Sequence, residues 1–130
     1  MNFRTIIRFT AMLMAGAAIA ISAAAHHGGG IEWQSTEPQS ITGEATEFQF
    51  RFPHVAVMID VEIDSHVENW AMTTRWTPTI LRRIGWRHDS IQPGDEITVT
   101  YRPHVTEPRV FQMQTIEVNG SALSLEPEGE

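Results

Sequence analysis

The chain has 130 residues, with nine basic side chains (all arginine) against sixteen acidic ones, a formal charge of −7. That length suits one domain, and the acidic balance repels phosphate backbones, which argues against nucleic acid as a partner. Cysteine and lysine are both absent. The chain therefore has no disulfide and no lipid-modified cysteine, and any bound metal must take nitrogen or oxygen ligands.

Arg4 and Arg8 precede "AMLMAGAAIAISAAA", residues 11–25, which carries no charge. A basic start, a short apolar run and small residues at Ala23 and Ala25 predict a secretory signal peptide over residues 1–25, cut before His26. A spanning helix would need about 20 apolar residues, more than this run supplies. Cleavage would leave 105 residues with seven arginines and sixteen acids, a charge of −9. The expected location is the periplasm, free of the membrane once cut.

Residues 26–39 read as an extended lead-in, with Gly28, Gly29, Gly30, a lone Trp33 and Pro38. An OB-like domain is expected over residues 40–125. Its first strand, "SITGEATEFQF", places Ile41, Gly43 and Ala45 on one parity and Phe48, Phe50 and Phe52 on the other. That switch predicts a bulge or bend near Thr46 and Glu47. Pro53 forces a turn. In "HVAVMIDVEID", Val55, Val57, Ile59, Val61 and Ile63 alternate with Asp60, Glu62 and Asp64, which predicts a half-buried second strand. "VENWAMTT" gives a third.

The period then changes. Thr77 as N-cap and Pro78 at the first helical position start a short helix that Gly85 stops. Pro93-Gly94-Asp95 is a tight turn. "EITVTYR" is a fourth strand with Ile97, Val99 and Tyr101 inward, and "RVFQMQTIEVNG" a fifth, ending at Asn119-Gly120. The acidic tail, residues 126–130, is expected to be disordered. Three strands, a helix and two strands give the fold class: all-β with one short helix, a five-stranded OB-like Greek-key barrel. An immunoglobulin-type sandwich would need about seven strands.

No nucleophile elbow, Gly-rich phosphate loop or His-Glu-x-x-His helix is present, so hydrolase and nucleotide chemistry lack support. Six histidines remain. His66 and His88 lie in charged connections and read as surface. An amino-terminal His26 would offer its α-amine and ring Nδ1 to one cation. With pKa values of about 7.7–8.0 and 6.5, both nitrogens shed protons readily near neutrality. A third imidazole would complete a flattened three-nitrogen set, which suits Cu(II). His54, after Pro53, and His104, after Pro103, stand at strand ends and are the candidates. His27 is a further one, through its own amide and Nδ1. The metal ligands are thus expected among His26, His27, His54 and His104, and copper is the expected cofactor.

Trp70, Trp76 and Trp86 bracket the helix and form the other possible ligand region, although large aromatics so placed usually bury the helix. Arg82 and Arg83 are expected on a solvated face paired with acids.

In order along the chain, Ala25-His26-His27, Gly43, Pro53-His54, Asn69-Trp70-Ala71, Gly85-Trp86, Asp89-Ser90 and Pro93-Gly94-Asp95 resemble a family of small exported bacterial proteins with a domain of unknown function. Departures are Gly28 for the usual Ser, Phe52 for Asn, and Thr73 for an acid after the Asn-Trp-Ala strand. The resemblance implies an exported small β-barrel and supports pairing His26 or His27 with His54. The expected function is periplasmic metal binding or delivery without turnover, with a metal ion and a periplasmic protein as partners. The alternative is a metal-free OB-type module for a small molecule or protein.

Overall fold

The computed structural model describes residues 33–127. Its strands are β1 (Gln39–Gln49), β2 (Ala56–Ile63), β3 (His66–Thr73), β4 (Glu96–Pro103), β5 (Val110–Val118) and β6 (Ser121–Leu123), with one helix, α1 (Pro78–Arg83), between β3 and β4. The antiparallel order is β3-β2-β1-β4-β5-β6. A parallel pairing of β3 with β5 closes the first five strands into a barrel. This is the OB arrangement, a five-stranded Greek key with its helix after the third strand.

The sixth strand is an addition to the expected five. Asn119 and Gly120 both take positive φ (50° and 79°), as a two-residue hairpin turn demands. The turn folds Ser121–Leu123 back onto Ile116, Glu117 and Val118. β3 takes Val110, Phe111 and Gln112. The two partners occupy different stretches of β5 and leave little of it unpaired.

The parity switch in β1 is a bulge. Ala45 faces Ile59 and Glu47 faces Met58, so Thr46 is the extra residue. Ala45 and Phe48 can then both turn inward, Ala45 fully buried and Phe48 packed on the core. The Pro-Gly-Asp turn plugs the kink: Gly94 N–H donates to Ala45 O and Ala45 N–H to Asp95 O, both at 2.8 Å. The Asp95 carboxylate accepts from Gln92 N (2.7 Å) and Asn119 Nδ2 (2.9 Å). Those bonds, the Gln92 amide first, hold its pKa below the usual carboxylate value.

β2 alternates as its sequence demands. Val57, Ile59 and Val61 are buried, along with Val55 just before the strand, and Ile63 packs at the margin. Met72, Ile97, Val99 and Ile116 complete the interior. Thr77 caps α1 by accepting from Ile80 N at 3.5 Å, and Gly85 ends it at φ 97°. The helix buries Leu81, and the chain returns through Trp86, which is 1% exposed and donates from Nε1 to Ser124 O at 2.7 Å. Arg82 and Arg83 are exposed as expected. They have no carboxylate within 4.0 Å among the described residues, and Arg82 lies over the Phe50 ring at 5.1 Å.

Gly43 sits where β1 crosses β2. A Cβ there would collide with the Asp60 carbonyl oxygen and stand 2.8 Å from Val61 Cγ1. Backbone cannot retreat cheaply, so Gly43→Ala should cost about 1–3 kcal/mol by overpacking. A urea titration checks this: the midpoint should fall with an unchanged slope, and an unshifted midpoint contradicts the crossing.

Candidate functional site

The barrel closes over a short seam. Ala71, Met72 and Thr73 pair with Val110, Phe111 and Gln112. Ala71 N–H donates to Arg109 O at 2.8 Å, and Thr73 Oγ1 donates to Phe111 O at 3.1 Å. Trp70 stacks on Phe111 with ring centroids 4.3 Å apart, and Tyr101 meets both rings edge-on. Burial pushes the Tyr101 phenol above its usual pKa. Glu68 ties the exposed edge: it accepts from Trp70 Nε1 at 2.8 Å, bonds His66 Nε2 at 2.9 Å and faces Arg109 Nε at 3.4 Å. The Trp70 bond, then the His66 bond, hold its carboxyl below the usual range.

A cleft of about 750 Å³ opens at this end of the barrel, within the size range of small-molecule sites. The end of β3 and the residues after it supply Thr73, Thr74 and Arg75. The end of β4 supplies Arg102 and His104, the start of β5 Val110 and Gln112, and the turn before β2 supplies His54. Trp33 and Ser35 complete the wall from the lead-in.

The four expected ligands divide accordingly. His54 and His104 share this cleft, although they come from distant turns. His26 and His27 lie outside the described residues. Trp33 shows where the lead-in arrives: it bridges to His104 as an isolated β-pair, its ring meets that imidazole edge-on at 5.1 Å, and Gln34 N–H donates to Pro103 O at 2.8 Å. The lead-in is thus part of the barrel from residue 33, seven residues after His26. Thr73 also lines the cleft.

The two imidazoles differ chemically. His54 is exposed, and its ring has no hydrogen-bond partner among the described residues. His104 Nδ1 accepts N–H bonds from Glu107 at 2.9 Å and Thr106 at 3.2 Å, with the Thr106 hydroxyl at 3.3 Å. A nitrogen that accepts amide hydrogens must present its lone pair, so the neutral ring carries its proton on Nε2. His104 is therefore built to donate. To bind a metal through Nε2 it would have to move that proton and break the loop bonds.

Sequence reasoning missed the arginines. Arg75 stacks over Trp76 at 4.3 Å. Arg102 is half-buried, and its Nε is enclosed with no acceptor. Neither has a carboxylate within 4.0 Å among the described residues. Arg75 and Glu126 both line an adjoining depression of about 40 Å³. None of the ten residues lining the cleft is acidic. Nor do the three expected tryptophans form one site: Trp70 belongs to the seam, Trp86 lies against Phe48 beneath the helix, and Trp76 pairs with Arg75.

Fold and cleft together define a small closed OB-type barrel with a basic, partly aromatic cleft at its seam. The chain belongs to DUF6152, a family of unknown function whose model matches residues 15–109. No curated protein matches it. Among solved structures it is similar to the mitochondrial single-stranded DNA binding protein Rim1 of S. cerevisiae, at 11% identity and a TM-score of 0.44, over 65% of this chain and 96% of that one.

The tautomer of His104 can be read directly. Long-range nitrogen–proton correlation NMR at a pH where the ring is neutral should show the proton on Nε2. A proton on Nδ1 contradicts the loop geometry.

Proposed function

We propose that this chain is an exported, periplasmic metal-binding barrel whose cargo is copper, held where the mature amino terminus meets the seam cleft. His26 would supply its α-amine and Nδ1, and His54 the third nitrogen. His27 is the alternative donor at the terminus. His104 is less suited, because its lone pair is committed to the loop.

The observation that carries this reading is the anchoring of Trp33 and Gln34 beside His104, at the mouth of the cleft that His54 lines. Seven residues span at most about 23–25 Å when extended, so His26 can range across that mouth. The three glycines after His27 impose no Cβ clash on a chain that doubles back. Among the described residues no three His, Cys, Asp or Glu side chains converge as a metal site, so the reading needs donors from residues 26 and 27. A nitrogen-only set without thiolate fits Cu(II). Binding and delivery suit the site better than turnover, since among the described residues no carboxylate lines the cleft beside His54 and His104. The acidic charge of the chain argues against nucleic acid as partner.

The test is Cu(II) affinity and the EPR spectrum of protein that begins at His26. One extra residue before His26 should weaken binding at least tenfold and change the nitrogen hyperfine pattern, and His54→Ala should weaken it too. Equal affinity of the native and extended termini would refute the chelate.

A further inference from the structure

The strongest feature that the metal reading leaves unused is the charge of the cleft. In a chain of net −7, this wall carries Arg75, Arg102 and two histidines, and no acid among the described residues. Neither guanidinium has a carboxylate within 4.0 Å among the described residues.

Arg102 is the more telling of the pair. It is half-buried, its Nε is sealed from solvent, and that nitrogen has no acceptor. A partly desolvated cation is unfavourable without a counter-charge. Arg75 is held in place by its stack on Trp76 rather than by an acid. His104 adds an N–H donor, because its Nδ1 accepts from the loop amides and its proton lies on Nε2. Donors and positive charge therefore collect in one cleft, and among the described residues no carboxylate lines it.

Of the rest of the wall, Ser35, Thr73, Thr74 and Gln112 are polar, while Trp33 and Val110 add an apolar surface. A bare inorganic anion would use the donors and leave this surface idle. An organic anion would use both, with its head on the arginines and its body against Trp33.

We propose that the seam cleft is a binding site for a small organic carboxylate, its head held by Arg75, Arg102 and His104 Nε2–H and its apolar body by Trp33 and Val110. Guanidinium groups recognise carboxylates by paired, charge-assisted hydrogen bonds. The volume of about 750 Å³ accommodates a ligand of a few to a few tens of heavy atoms. The site does not depend on a metal at the amino terminus.

Benzoate is the probe, titrated by calorimetry into EDTA-treated mature protein, with benzyl alcohol as the uncharged analogue and inorganic phosphate as the competitor. Benzoate should bind saturably at one site, benzyl alcohol at least tenfold more weakly, and phosphate should compete poorly. Arg102→Gln should weaken benzoate about tenfold or more, as loss of a charge-assisted pair does. Arg75→Gln, an exposed change that spares the core, should weaken it severalfold. No saturable benzoate binding, equal binding of benzyl alcohol, phosphate binding as tight as benzoate, or wild-type affinity in both variants would each overturn the proposal. Because metal is absent from these titrations, their failure leaves the copper reading untouched, and failure of the copper chelate leaves benzoate binding to be judged alone.

Discussion

Three residue pairs hold the barrel shut. Ala71, Met72 and Thr73 lie parallel to Val110, Phe111 and Gln112, and every other strand contact is an antiparallel ladder between neighbours in the sheet. The pairing is short, so side chains must reinforce it. Trp70, Phe111 and Tyr101 pack across it, and Glu68 ties it through Trp70, His66 and Arg109. Without that closure the end of β3 would have no reason to face the end of β4.

The cleft is a product of the same closure. Beyond Thr73 the chain leaves the sheet through Thr74 and Arg75, and Arg102 and His104 stand opposite at the end of β4. The turn ahead of β2 adds His54, because Thr74 N–H bonds Val55 O at 2.9 Å and so holds the two turns together. Residues far apart in the chain are thereby collected at one mouth. Trp33 covers part of it, and His104 is fixed from two sides, by the Trp33 edge contact and by the loop amides on Nδ1. The ring is thereby held in one orientation, with Nδ1 turned to the loop amides.

Much of the fold was legible locally. The period-two run of Val55, Val57, Ile59 and Val61 marks a strand with one wet face, and the parity change after Ala45 marks the bulge at Thr46. Thr77-Pro78 and Gly85 bracket the helix because each residue type meets a specific backbone demand there. The barrel order followed from the succession of elements. The added β6 was not legible, since Ser121–Leu123 is too short to show a period. The site was half legible. His54 and His104 stood out as imidazoles at proline-marked strand ends, and they do share a cleft. Arg75, Arg102 and Trp33 carried no local signal. An arginine in a strand reads as a solvated charge until long-range closure shows that its neighbours are not acids, and a tryptophan in a Gly-rich lead-in reads as idle until its bridge to His104 is seen.

Amide hydrogen exchange at Ala71 tests this account most directly, because its N–H donates to Arg109 O across the closure. If the seam is the constraint that forms the mouth, this amide should exchange only through large-scale opening, with protection close to that of Ile59 and Val99 in the interior. Exchange at rates typical of an exposed loop, with the interior still protected, would mean that the barrel stands open at β3 and β5 and that the cleft is not a stable feature of the protein.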